Sequence, residues 1–372
     1  MRWDALRTDA PADARPRVPS PPVLFEQRAV TRTFDTPEFR GMTFFEVQAK
    51  SIINRVPDAS RVPFRWTINP YRGCSHSCVY CFARKSHTYL DLDSGHDFDS
   101  KIVVKVNAPE LALKELAAPR WRGEHIAMGS NVDCYQRAEG RYRLMPGILT
   151  ALRDAANPFS ILTKGTLILR DLELICQAAE VTDVGVAVSV GCADQQLWRE
   201  LEPGTPSPQR RLEVCAAFAA AGLRCAVLMG PIVPFLSDSP EQLDATVRQI
   251  AAAGAASVSP IVLHLRPGAR EWFLGWLGRQ HPSLVPRYRG LYGHGAYASA
   301  AYQKQVTEHV RALAEHYRVG QGAPSPRKRG ASPALRANPR SASPAASRGA
   351  RWPGGPSANT PAADRPAQLR LL

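Results

Sequence analysis

Between residues 64 and 280, short apolar or β-branched runs alternate with stretches of helical spacing. Strands are expected over residues 64–68, 101–106, 125–128, 159–163, 184–190, 224–229 and 257–265. The helical stretches between them are a segment beginning near Pro109, then 144–155, 169–179, 210–221, 239–253 and 269–278, and a last one over 298–318. Asn157-Pro158 closes one of these, and Ser239-Pro240-Glu241 opens another that Gly254 ends. Residues 184–190 are almost continuously apolar, as a parallel strand buried on both faces requires. Such alternation dictates a parallel sheet with right-handed crossovers, and about six units fit here. The fold class is therefore α/β, either a partial barrel or an open sheet. Ligands of such sheets sit at the C-terminal strand ends. The polar and glycine-containing segments 69–81, 129–136, 164–165, 189–192 and 230–238 fall there.

The flanks read differently. Residues 1–40 are rich in Pro, Arg and acids and are expected to form a flexible arm. Residues 41–319 form the core domain with its C-terminal helices. From 320 to 372, Pro, Ala, Ser, Gly and Arg dominate, a composition that buries too little apolar surface to offset the entropy of ordering. That tail is expected to be disordered. It holds nine Lys or Arg and one acid, so it carries +8 of the formal +14. Basicity concentrated there permits a polyanionic partner, nucleic acid included, without showing that the folded part reads one. No apolar run approaches the roughly 20 residues of a membrane span. The N-terminus has no apolar signal region, so a cytoplasmic protein with no membrane partner is expected. Its eight cysteines then read as ligands, catalytic groups or core residues rather than disulfides.

Residues 69–84 read NPYRGCSHSCVYCFAR. This places C-x3-C-x2-C, on Cys74, Cys78 and Cys81, in one loop directly after an expected strand. Three thiolates so spaced can converge on iron–sulfur or zinc. A [4Fe–4S] cluster on three cysteines leaves one iron open to a non-protein ligand. A zinc site needs a fourth ligand, for which His76 and His87 are available. Gly73 permits a tight turn before the first thiol.

C-x3-C-x2-C with an aromatic, Tyr80, before its last cysteine resembles the signature of the radical S-adenosylmethionine (SAM) superfamily. The stretches NPYRGCSHSCVYCFAR, GSNVDCYQRAE, LTKGTLILRDLEL, VSVGCADQQLWRELEPGTPSPQRRLE and GPIVPFLSD resemble, in order, the branch that contains spore photoproduct lyase. The resemblance implies a partial (β/α)6 TIM-like barrel, a [4Fe–4S] cluster on the three cysteines, and SAM chelating the fourth iron. It also implies reductive cleavage of SAM to methionine and a 5′-deoxyadenosyl radical, which abstracts hydrogen from a substrate. An electron donor such as flavodoxin or ferredoxin would be needed. Three functions remain open: a radical SAM enzyme on an unidentified substrate, a DNA-repair lyase of the spore photoproduct type, or a non-catalytic iron–sulfur or zinc protein used for interaction.

The resemblance also assigns residues. Tyr80 would pack beside the adenine, or simply fill the barrel core. Gly129, Ser130 and Asn131, at the second barrel strand's end, match the segment that binds the amino group of SAM, though an ordinary strand-to-helix turn also fits. Lys164 would pair with the SAM carboxylate, or be solvated. Ser189 would bond the ribose or the carboxylate. Arg199 and Glu202 would form a loop-ordering ion pair, or face solvent. Cys134 stands where the branch has proline. It would donate a hydrogen atom to a radical, or be a small buried thiol. Cys176, Cys215 and Cys225 read as packing residues, while Cys192 lies in a loop at the same barrel end. The aromatic and basic segment 264–292 suits a substrate cover or packing against the barrel.

Overall fold

A computed structural model describes residues 29–58, 60 and 62–321 of the protein. The tail expected to be disordered lies outside the described residues from 322 onward, as do residues 1–28 of the arm. Among the described residues there are eleven strands: β1 (Val30–Arg32), β2 (Thr43–Val47), β3 (Ile53–Arg55), β4 (Trp66–Ile68), β5 (Tyr71–Arg72), β6 (Lys101–Lys105), β7 (Ile126–Met128), β8 (Phe159–Thr163), β9 (Val184–Ser189), β10 (Cys225–Ile232) and β11 (Ser257–Val262). The larger sheet runs β11-β10-β9-β8-β7-β4-β3. Its strands β4 and β7 to β11 are parallel, and β3 pairs antiparallel with β4 at the edge. Each parallel strand lies beside its predecessor, so the winding never reverses. Because β3 and β11 are the two edges, the sheet is an open TIM-like barrel.

Register separates the two faces. Thr67, Ala127 and Ser160 pair in series across the sheet, as do Leu162, Ala187 and Ala226. Ser189 and Leu228 continue that face, on which Thr67, Ala127, Ser160, Ala187, Ser189 and Ala226 are small and positions 162 and 228 are leucines. The opposite face carries the larger Ile126, Phe159, Ile161, Val186 and Val227 and belongs to the main core. Closed barrels fill their interior with bulky branched side chains.

Residues 101–106, expected as a strand of the alternation, do form one, but β6 belongs to a second sheet of order β1-β2-β6-β5. Its hydrophobic run fits either sheet, and pairing rather than composition decided which. This sheet holds the entry to the cysteine loop, since Tyr71 and Arg72 of β5 pair with Val104 and Val103. It also corrects the N-terminal expectation for residues 29–40. Val30–Arg32 pairs with β2, and Phe34 packs on Phe39 and Phe44 at 5.8 and 5.4 Å between ring centroids. Arg141 covers the Phe34 ring at 4.0 Å, so this stretch is docked.

The helix over Pro240–Ala252 begins where Ser239 predicts, with a reciprocal capping box between Ser239 and Gln242. No helix among the described residues is long and apolar enough to cross a membrane.

Candidate active site

The cysteine loop runs from the end of β4 to a 3-10 helix over Phe82–Leu90. Gly73 has φ +80°, and an added Cβ would approach the Lys101 carbonyl oxygen at 3.0 Å and the His87 ring at 2.9 Å. Only glycine fits this turn. The Cys74 amide then donates to the Phe98 carbonyl at 2.9 Å. Gln136 fastens the loop from β7's side, accepting from the Ser75 amide at 3.0 Å and donating to the Gly73 carbonyl at 2.9 Å. From the other side, the Val79 amide donates to the Leu201 carbonyl and the Gly204 amide to the His76 carbonyl. Beneath the loop, fully buried Arg84 donates to the Cys78 carbonyl and to Asp99, sandwiched between Phe98 and Trp272.

Cys74 and Cys78 are buried and Cys81 is partly exposed, and all three are free thiols. Burial raises the pKa of each, that of Cys78 to about 12, and Cys74 also feels the charges of Cys78 and Cys81. Thiols in such a place bind as thiolates only to a centre that supplies compensating positive charge. An all-sulfur donor set on one buried loop fits an iron–sulfur cluster. Each of the two histidines that a zinc site would recruit has a contact at one ring nitrogen, and His87 Nδ1 is buried without a hydrogen-bond partner. His76 Nδ1 lies 3.5 Å from Asp133 Oδ2, and His87 Nε2 is 2.9 Å from the Lys101 carbonyl oxygen. Among the described residues, no group of three or more His, Cys, Asp or Glu side chains, the three motif cysteines included, is placed to hold a metal ion.

Beside this loop, several expected residues converge. Tyr80 is buried and donates its hydroxyl to Glu202 Oε1. Lys164, from the end of β8, turns inward rather than to solvent. Its Nζ donates to Ser189 Oγ at 2.7 Å, lies 3.8 Å from Glu202 Oε1 and sits 5.9 Å from the Tyr80 ring centroid. Ser189 Oγ in turn donates to the Gly230 carbonyl at 2.8 Å. Gly129 has φ +77°, and any Cβ would overlap the Leu162 carbonyl oxygen. This explains the glycine without recourse to a ligand. Ser130 and Asn131 follow it at the mouth, partly exposed.

Cys134 is not part of this group. It is 1% exposed, and Asp133, Glu139 and Asp171 add to burial in raising its thiol pKa. Glu139 there accepts from Tyr71 at 2.6 Å and pairs with Arg170 at 2.5 Å. Its surroundings are closed and charged. Cys215 and Cys225 are buried as expected. Cys192 is also buried, its Sγ 3.9 Å from the Asp194 carbonyl oxygen.

The expected Arg199–Glu202 ion pair is not formed. Arg199 lies over the Trp198 ring at 5.8 Å, and Glu202 pairs with Arg211. Arg211 also donates to the Ser189 carbonyl at 2.9 Å and to Thr205 Oγ1 at 2.6 Å. Burial pushes the Glu202 pKa up, but Arg211, Lys164 and the Tyr80 hydroxyl together bring it below the ordinary carboxylate value. Sequence reasoning missed Arg211. Its signal was the helical spacing of Arg211, Cys215 and Phe218, which puts the arginine on the buried stripe of Pro208–Ala220. It also missed Asp133, whose carboxylate accepts from the Thr163 hydroxyl at 2.6 Å and from the amides of Tyr135 and Lys164 at 2.9 and 2.7 Å. Asp133 thus ties the end of β8 to the loop after β7.

An open parallel barrel with three cysteines of one loop at its C-terminal mouth is the architecture of radical SAM proteins. The family model for the radical SAM superfamily matches residues 68–250. The chain belongs to that superfamily. It is 51% identical over 298 residues to an uncharacterized protein of Mycobacterium tuberculosis, covering 80% of this chain and 88% of that one. An uncharacterized protein of Methanocaldococcus jannaschii is 29% identical over 195 residues, covering 52% of this chain and 69% of that one. Among solved structures, spore photoproduct lyase complexed with dinucleoside spore photoproduct matches with a TM-score of 0.54 and 15% identity. That match covers 74% of this chain and 80% of the lyase, and it extends the likeness to the fold.

Proposed function

We propose that the protein is a radical SAM enzyme that holds a [4Fe–4S] cluster on Cys74, Cys78 and Cys81 and cleaves SAM reductively, generating a radical that abstracts hydrogen from a substrate. The observation that carries this reading is the buried group of Tyr80, Lys164, Ser189 and Glu202 beside the three thiols. When bound, the cluster supplies the electron for SAM cleavage.

This chain's own residues do the positioning. Lys164 offers an ammonium to the SAM carboxylate. Glu202, held by Arg211, keeps both Lys164 and the Tyr80 ring in place, so Tyr80 presents a fixed face to the adenine. Ser189 stands ready to bond the ribose or carboxylate, and the segment Gly129–Asn131 offers backbone carbonyls to the amino group. Cys134 is assigned packing. Eight free thiols suit a reducing cytoplasm. The DNA-lyase reading rests on likeness of fold and on no feature of this site, so the substrate stays general here.

Anaerobic reconstitution with iron and sulfide, then dithionite and SAM, tests the proposal. 5′-Deoxyadenosine should form, and Ala at any one of the three cysteines should abolish it. Zinc in the natively purified protein, with no cluster formed on reconstitution, would overturn it.

A further inference from the structure

Cys81 is the only one of the three motif cysteines that is not buried. The chain leaves it as the 3-10 helix Phe82–Leu90, which places two large apolar side chains at the surface: Phe82, 43% exposed, and Tyr89, 64% exposed. Together with Ala83, Lys85, Ser86, Asn131, Arg266 and Pro267 they line a shallow cavity of about 370 Å³. Arg266, from the loop after β11, lies over the Phe82 ring at 5.3 Å. Two cations and no carboxylate line the hollow. Ser86 Oγ there is buried and without a hydrogen-bond partner.

We infer that this face is where an acidic electron-carrier protein docks to reduce the cluster. The inference rests on the function proposed above. A small-molecule site would enclose its ligand, whereas Phe82, Lys85, Tyr89, Arg266 and Pro267 are all exposed. Exposed aromatic rings beside arginine are instead the composition of a protein interface core. Two cations offer few contacts to a nucleic-acid duplex, whose affinity rests on neutralising many phosphates. It suits carboxylates on a partner of the small, transient redox type, which bury less than about 1,200 Å². Phe82 follows Cys81 directly, so a carrier seated here reaches the cluster at its least buried cysteine. The reduced carrier, a flavin or iron–sulfur protein, loses one electron and the cluster gains it. No bond is made or broken.

The test uses the reconstituted full chain, with reduced flavodoxin as the probe, regenerated by its reductase and NADPH. 5′-Deoxyadenosine formation is followed against flavodoxin concentration for wild type and for Lys85→Glu/Arg266→Glu. The double variant should need at least about tenfold more flavodoxin for half-maximal rate, with a weaker salt dependence. Its rate with excess dithionite should equal that of wild type, and Tyr89→Ser should shift the flavodoxin requirement in the same direction. An unchanged flavodoxin requirement in the double variant would overturn the docking face and leave the enzyme assignment standing. So would loss of oligonucleotide binding, read by fluorescence anisotropy, with flavodoxin use intact, which would assign the face to nucleic acid. Failure of wild type to cleave SAM with dithionite would sink the enzyme assignment and this inference with it.

Discussion

Glu202 and Arg211 form a buried ion pair that reaches both the cysteine loop and the end of β9. Arg211 Nη2 meets Glu202 Oε2, while Tyr80 and Lys164 gather on Oε1. Breaking such a pair from one side leaves an uncompensated buried charge, which typically costs about 3–5 kcal/mol. Arg211→Met should therefore destabilise the protein by about that much, seen as a lower denaturant midpoint. Glu202→Gln should also lower it, and adding it to Arg211→Met should restore part of the loss. Additive losses would show that the two side chains act independently.

Lys164 gives a prediction about ligand rather than fold. Its ammonium donates to neutral Ser189 and lies 3.8 Å from Glu202 Oε1, so a SAM carboxylate would share it with Glu202. Charge-assisted hydrogen bonds contribute about 1.5–3 kcal/mol, or roughly ten- to a hundredfold in affinity. Lys164→Met should weaken SAM binding by that factor in calorimetry of the reconstituted protein, with iron content unchanged. Equal affinity in the variant would remove Lys164 from the SAM site.

The parts of this molecule that were legible in the sequence are those governed by local pattern. The β9 run, the Ser239 cap and the glycine before Cys74 each express a local rule about burial, capping or φ. The placement of β6 was not legible, because its pairing depends on β2 and β5 rather than on its own residues. Side chains that meet across the barrel were the hardest. Arg210 and Arg211 are the same residue type in succession, yet their side chains are 67% and 1% exposed. Helical phase separates them, and only the fold shows that the inward one meets Glu202. The Arg199–Glu202 expectation failed for the same reason: sequence proximity on one helix end competed with a partner on the next helix and lost.

Lys105 supplies a pH-dependent prediction away from the site. Burial lowers its pKa from 10.5 to about 8, with Arg72 adding to the effect and Glu115 opposing it. The folded pKa lies below the unfolded one, so the unfolded chain holds the extra proton between them. Stability contributed by this residue is therefore lowest below pH 8 and rises as pH climbs towards 10.5. Lys105→Met should be more stable than wild type at pH 7, by on the order of 2 kcal/mol. That advantage should shrink as the pH approaches 10.5. Urea denaturation of both proteins at several pH values checks the slope, and a constant difference would show that the ammonium reaches water.

Cys134 distinguishes packing from chemistry at the barrel mouth. Its thiol is enclosed with Tyr71, Glu139 and Asp171, and it lies outside the group formed by Tyr80, Lys164, Ser189 and Glu202. A packing thiol contributes volume, so Cys134→Ala should lower stability by about 1–2 kcal/mol through the small cavity it leaves. Cluster content and the rate of 5′-deoxyadenosine formation should stay at wild-type values. A hydrogen-donating thiol predicts a different isotope pattern. The cavity cost would be the same, but deuterium from solvent, carried by an exchangeable S–H, would disappear from the product of the variant. Mass spectrometry of products formed in D2O reads the difference directly, and loss of label in Cys134→Ala would restore the donor role that the closed surroundings of this thiol argue against.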